Sequence, residues 1–291
     1  MSNSRVVDIM NALPSPVAAL FRAGGIRARM LRPLVDRLVP DHPTQVVVLS
    51  GPGRGLRLLI HPRHEKYYWT GLHEEHVQSA IADALTPGMS FWDIGAHVGF
   101  FALLASRLGG DTVQVHAFEP MPGNFDRLKT NIEANALSNI QPHCVALSDE
   151  VGSSVFMTTG SSLTGHLAQG KGEATEGTVR VNTVTIDSIA SDSGGVPDLL
   201  KIDVEGAEGR VIRGAARTIQ ACRPHMIIEV HSAQAGRDVV DALPVPYLFH
   251  DITSGQEAAL PLAAGHYFGR AAVGFRHEMW RRSRATAERR G

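Results

Sequence analysis

A doubly wound α/β fold with a mostly parallel, seven-stranded sheet is what this sequence predicts. Two observations predict it. From Phe91 onward, short apolar runs alternate with helix-spaced patterns, the signature of βαβ units. Within that stretch, Phe91-Trp92-Asp93-Ile94-Gly95-Ala96-His97-Val98-Gly99 reads as strand, glycine turn and helix start. That is where such a sheet grips a nucleotide-like ligand. With 291 residues, 43% of them hydrophobic, the chain is long enough for one large domain plus an N-terminal extension.

Taken in order, residues 1–40 read as helical and basic, with apolar stripes at Val17, Leu20, Phe21 and at Met30, Leu31, Leu34, Leu38. A helical cap or a homodimer arm suits them, with a membrane-surface helix as the alternative. Gln45–Leu49 and Leu56–Ile60 read as a hairpin around Gly51-Pro52-Gly53-Arg54-Gly55. That loop lacks the Lys-Ser/Thr of a phosphate-binding loop. Glu74–Leu85 has helical spacing. The sheet then builds up from strands Phe91–Ile94, Val113–Phe118, Cys144–Leu147, Asp198–Val204, Met226–Val230, Tyr247–Ile252 and Ala271–Phe275. Helices are expected at Val98–Leu108, Pro122–Ala136 and Glu208–Cys222. Ser153–Thr158 and Thr178–Val184 flank a polar loop, an inserted β-hairpin with a lid. The expected division is an extension over 1–66, the main domain over 67–277 and a basic tail over 278–291.

The formal charge of −1 gives no sign of a nucleic-acid partner. Arginines cluster at both ends, as solvated surface or as a contact to phosphate or anionic membrane. Cys144 and Cys222, the only cysteines, sit in apolar sequence and suggest a reducing compartment. The N-terminus lacks a signal-peptide core, and no run reaches the ~20 apolar residues of a membrane span. A cytoplasmic protein is expected.

The turn narrows the ligand. A dinucleotide site wants G-x-G-x-x-G, and only Gly95 and Gly99 are in place. Asp-x-Gly-x-x-x-Gly, with Glu119 ending the next strand, fits S-adenosylmethionine, whose sulfonium and ammonium favour nearby acids. Glu119 is placed to accept both ribose hydroxyls. The third strand ends at Ala146-Leu147-Ser148-Asp149, over the adenine. Asp93, Gly95, Ala96, His97, Gly99, Glu119, Pro120, Leu147, Ser148 and Asp149 are therefore the candidate cofactor contacts.

Three stretches resemble the FkbM family of S-adenosylmethionine-dependent methyltransferases: Phe91–Phe101, Ala117-Phe118-Glu119-Pro120, and Asp198–Glu208 with its Lys201-Ile202-Asp203-Val204-Glu205-Gly206 core. Tyr68-Trp69-Thr70-Gly71 with Glu74, and Val145–Asp149, support it. The resemblance runs from about Tyr67 to Val230. His97 departs from it, since the family usually has Asn there. The resemblance implies a Rossmann-like domain that methylates a hydroxyl on a sugar, polyketide or similar metabolite, so a small-molecule or glycan acceptor is the expected partner.

Lys201, Asp203 and Glu205 alternate and share one face of an extended segment. Glu229-Val230-His231 ends the neighbouring strand. Methyl transfer is an in-line displacement that needs the acceptor oxygen positioned and deprotonated. Asp203, Glu205, His231 and the loop residue His166 are the candidate bases, with Lys201 beside them. A base without metal is the favoured form. Its rival is a divalent ion on Asp203, Glu229 and His231. His73, His76, Glu74 and Glu75 lack a third partner at metal spacing. An NAD- or nucleotide-sugar-dependent oxidoreductase and a non-catalytic S-adenosylmethionine-binding partner are the alternative functions.

Overall fold

A computed structural model describes residues 40–158, 165–167, 178–193 and 195–272. The expected N-terminal helices, most of the lid loop and the basic tail lie outside the described residues.

Strands β1 (Thr44–Val47) and β2 (Arg57–Ile60) form the expected antiparallel hairpin, in register from Thr44↔Ile60 to Val47↔Arg57. Alternation turns Val46, Leu58 and Ile60 inward. Helices α1 (Lys66–Thr70) and α2 (Glu75–Ala84) follow. The main domain then runs through β3 (Ser90–Ile94), α3 (Phe100–Gly109), β4 (Gln114–Phe118), α4 (Pro122–Ala134) and β5 (Ile140–His143). Pro122 opens α4, where a missing N–H costs nothing.

Four short strands come next: β6 (Ala146–Leu147), β7 (Gly152–Thr158), β8 (Gly165–Leu167) and β9 (Thr178–Val184). The chain returns to the main sheet through α5 (Ile186–Ser193), β10 (Leu199–Ile202), α6 (Glu208–Arg213), α7 (Ala216–Cys222) and β11 (His225–Val230). Helix α8 (Ala233–Ala242), β12 (Tyr247–Asp251) and β13 (Gly265–Ala271) complete it.

The main sheet has seven strands in the order β12-β13-β11-β10-β3-β4-β5. Its β11-β10-β3-β4-β5 part is parallel, and β13 runs antiparallel to both neighbours. The chain starts at β3, builds outward to β5, then returns to β10 on the other side. The switch point therefore lies between β3 and β10, where ligands of open α/β sheets bind. Alternate residues feed two cores. Phe91, Val115, Leu199 and Ile227 pack with α3 and the hairpin, while Trp92, Phe118, Leu200 and Ile228 pack with α6, α7 and α8. The expected Rossmann-like, doubly wound architecture is the one observed.

Four expectations are corrected. The third strand is Ile140–His143, whereas the expected Cys144–Leu147 stretch contributes only β6, which pairs in parallel with β9 in a separate sheet ordered β6-β9-β7-β8. Strand β5 is polar and holds Pro142, because an edge strand tolerates a missing ladder donor. The final strand is Gly265–Ala271, ahead of the expected Ala271–Phe275. Within it, a side chain in place of Gly269 would meet the Phe249 ring at 2.6 Å. The expected Glu208–Cys222 helix breaks into α6 and α7 around Gly214, which the Ser148 carbonyl approaches too closely for any side chain. Both cysteines are exposed and unpaired, so the apolar setting read for them is absent. The inserted hairpin is present as β7 and β9, paired from Gly152↔Thr183 to Met157↔Thr178.

Candidate functional site

The C-terminal ends of β3, β4, β10 and β11 open into a cavity of about 300 Å³, within the size range of small-ligand sites. Gly95 holds φ 81°, and the Asp203 carbonyl oxygen lies where its side chain would be. Glycine therefore lets the β3 and β10 tips close on each other. The turn is tied to the next strand, since Gly95 and Ala96 N–H groups donate to the Phe118 carbonyl at 3.0 and 2.9 Å.

Glu119 ends β4, is 5% exposed and lines the cavity. Its Oε2 accepts the His97 N–H at 2.9 Å, and its Oε1 accepts the Met121 N–H at 2.9 Å. Burial raises its pKa and these bonds pull it down, leaving it at about 7. Asn124 Nδ2 also reaches Oε1 at 3.4 Å, so Oε1 has two donors and Oε2 one, and Oε2 is the better placed to accept a further hydroxyl.

Across the cavity stands a charged cluster. Lys201 is 3% exposed, with Nζ 3.2 Å from Asp203 Oδ2 and 3.5 Å from Asp93 Oδ1, and it lies 4.9 Å over the Phe101 ring. Burial lowers its pKa, but Asp203, Asp93 and Glu74 outweigh that and hold it raised. Asp93 is wholly buried, and burial raises its carboxyl against the pull of Lys201. Burial also lifts Asp203, which Lys201 lowers and Glu229 and Glu74 raise, to about 6. His231 Nδ1 sits 2.7 Å from the wholly buried Glu208 Oε1, and its Nε2 faces Glu205 at 3.3 Å and Asp203 and Glu229 at 3.6 Å. Burial disfavours its cation, yet Glu208 and the three facing acids raise it to about 9. His266 Nε2 lies 3.3 Å from Glu229 and 3.7 Å from Glu74. Against burial, these two acids lift it to about 10.

Five non-glycine residues have positive φ among the described residues, and three of them, Glu74, His97 and Glu205, line this cavity. Strained backbone concentrated at one site marks a functional surface.

A family model described as the methyltransferase FkbM domain matches residues 93–256. The chain belongs to the FkbM methyltransferase family. Among relatives, the hexuronic acid methyltransferase AglP of Haloferax volcanii is 32% identical over 165 residues, 56% of this chain and 64% of that protein. The 31-O-demethyl-FK506 methyltransferase FkbM of Streptomyces tacrolimicus is 28% identical, over 55% of this chain and 72% of its own length. Among solved structures, the methyltransferase FkbM of Methylobacillus flagellatus KT is 17% identical, covering 70% of this chain and 46% of that one, with a TM-score of 0.43.

The methyl donor of the FkbM family is S-adenosylmethionine. Glu119 presents a buried carboxylate to the cavity, and Gly95 keeps the turn at the switch point free of a side chain. Of the residues expected from sequence, Gly95, Ala96, His97, Glu119, Pro120, Leu147, Lys201, Asp203, Glu205 and His231 all line the cavity. Asp93 lies one layer behind, against Lys201. Gly99 caps α3, where Leu128 crowds it. Ser148 and Asp149 are not among the lining residues. The Asp149 carboxylate pairs with Arg210 at 2.8 Å and Arg213 at 3.4 Å, while Val145, Leu147 and Phe156 are the neighbours that line the cavity. The His166 side chain lies outside the described residues.

Sequence reasoning missed the aromatic wall, Tyr67, Tyr68, His73, Phe100 and Phe101. The Tyr68-Trp69-Thr70-Gly71 stretch carried part of that signal. His266 gave none, because the strand that bears it was itself missed.

Proposed function

We propose that the chain transfers a methyl group from S-adenosylmethionine to a hydroxyl oxygen of a sugar or polyketide-like metabolite, with Asp203 as general base. One observation carries this. The Asp203 backbone carbonyl packs against Gly95 of the donor-side turn, and its carboxylate lines the cavity beside Lys201 with a pKa lifted to about 6. A base poised near neutrality is what an alcohol nucleophile needs. The compounds the two relatives are named for, a hexuronic acid and 31-O-demethyl-FK506, are the acceptors to try first.

The donor, when bound, supplies a methyl group already activated by sulfonium charge. The residues do the rest. Glu119 holds the ribose. Lys201, 3.2 Å from Asp203, fixes the rotamer of the base and keeps its proton affinity in check. His231, a cation at neutral pH, pins Asp203 and Glu205 from the far side and is unsuited to accept a proton itself. Glu205, the more exposed of the pair, passes the proton to solvent.

The test follows labelled methyl from the donor into a hexuronic acid and into 31-O-demethyl-FK506. Asp203→Asn should lose transfer while S-adenosylhomocysteine affinity stays within about twofold, since the base makes no ground-state donor contact. Full transfer by Asp203→Asn would assign the proton to another group.

A second reading has its own observation. Asp203, Glu205 and His231 bring ligand atoms within 4.8 Å of one another, as do Glu74, Glu229 and His266. A divalent ion on the first group would polarise the hydroxyl directly. Loss of transfer on chelation, restored by added Mg²⁺ or Mn²⁺, selects this reading over the base.

A further inference from the structure

Glu65 is wholly buried, yet it precedes the stretch that matches the family by almost thirty positions. Arg127 Nη1 donates to both its oxygens, at 2.9 and 2.7 Å, and the His61 N–H donates to Oε2 at 2.7 Å. Two arms leave this pair. In the first, Glu65 Oε1 lies 3.6 Å from His97 Nε2, the His97 Nδ1 meets the Tyr68 hydroxyl at 3.1 Å, and the His97 N–H donates to Glu119 Oε2. In the second, Arg127 Nη2 donates to Asn124 Oδ1 at 2.8 Å, and Asn124 Nδ2 reaches Glu119 Oε1 at 3.4 Å. Each arm ends on a different oxygen of the same carboxylate.

The geometry points to Glu65–Arg127 as a positioning pair for the donor's ribose. It sets the plane of the Glu119 carboxylate through His97 and Asn124, and so makes the segment before the family domain part of the donor site rather than an acceptor cap. The inference rests on the assignment of Glu119 to the ribose. Three features support it. A buried ion pair is a poor source of stability, so its placement calls for another role. His97 holds its left-handed backbone with its ring fixed at both nitrogens by Tyr68 and Glu65. Charged partners behind a binding carboxylate orient it as outer partners orient metal ligands. The same segment also carries Tyr67 and Tyr68 into the cavity wall.

The experiment compares S-adenosylhomocysteine with its 2′-deoxyribose analogue by calorimetry, for the wild-type chain, Asn124→Ala and Arg127→Lys. Asn124→Ala cuts one arm without leaving a buried charge, and Arg127→Lys keeps the charge but loses the two-pronged contact. The wild-type chain should prefer the hydroxylated ribose. Both variants should shrink that preference by about tenfold, the scale of one weakened charged hydrogen bond, and leave affinity for the deoxy analogue unchanged. Equal weakening of both ligands, or a lower melting temperature with the preference intact, makes the pair mere scaffold and overturns the proposal. Equal wild-type affinity for the two ligands removes the ribose assignment itself, and the proposal with it.

Discussion

Replacing Glu119 with glutamine tests the donor site at its centre. The amide keeps the volume of the acid but turns one acceptor into a donor. That donor must face either the His97 N–H or the Met121 N–H, each of which now donates to a carboxylate oxygen at 2.9 Å. The variant also loses the anion proposed to hold the ribose hydroxyls. A hydrogen bond to a charged group contributes roughly 1.5–3 kcal/mol, so S-adenosylhomocysteine should bind at least ~10-fold more weakly. The wild-type chain has a matching pH signature. Burial holds Glu119 at about 7, so the carboxylate is the minor form at pH 6 and the major form at pH 8. Affinity should fall about tenfold from pH 8 to pH 6 in the wild type, and not in Glu119→Gln. The stability of the free protein should follow the reverse trend. A carboxyl raised from 4.5 to about 7 on folding binds its proton more tightly in the native state. Its contribution of about 3 kcal/mol is complete below pH 4.5 and is lost as pH rises through 7. Calorimetric titrations at the two pH values decide it. Glutamine binding within about twofold of wild type, with an unchanged pH slope, would refute the reasoning.

Two further predictions follow from the same cluster and turn. The kcat/KM profile should rise as Asp203 deprotonates near pH 6 and fall as His231 loses its proton near pH 9, and Glu208→Gln should move the alkaline limb to lower pH by removing the acid closest to His231. Gly95→Ala should cost at least ~1 kcal/mol in thermal unfolding, because φ is 81° and the Asp203 carbonyl fills the space a methyl group needs; an unaltered melt would show that the β3 and β10 tips are free to part.

The parallel half of the sheet was legible because buried strands read as apolar runs. Leu199–Ile202 and Phe91–Ile94 are buried on both faces, so burial and hydrophobicity say the same thing. Where they diverge, sequence misleads. Strand β5 lies at an edge and carries Gln141, Pro142 and His143, so Cys144–Leu147 looked the better strand. Strand β13 hides behind Gly265, His266 and Gly269 because Phe249 takes the space a side chain would need. The site divides the same way. Residues on strand tips and in the glycine turn were readable from spacing alone. The Glu65–Arg127 pair was not, since 62 positions separate its members and nothing local about either signals a buried ion pair. The pairing of Asp149 with Arg210 and Arg213 was hidden for a related reason: they lie one helix turn apart on α6, at a distance in sequence that spacing does not reveal.

The left-handed backbone at Glu74, His97 and Glu205 carries a consequence for attempts to toughen the molecule. A side chain in that conformation costs of order 1 kcal/mol that glycine avoids. Heat-based selection would therefore reward glycine at each of these places, and the most heat-resistant variants would be the ones whose cavity had lost an acid or its histidine. Durability and activity pull against each other here at three known positions, so a search for sturdier forms of this chain should hold those three fixed and look for its gains elsewhere.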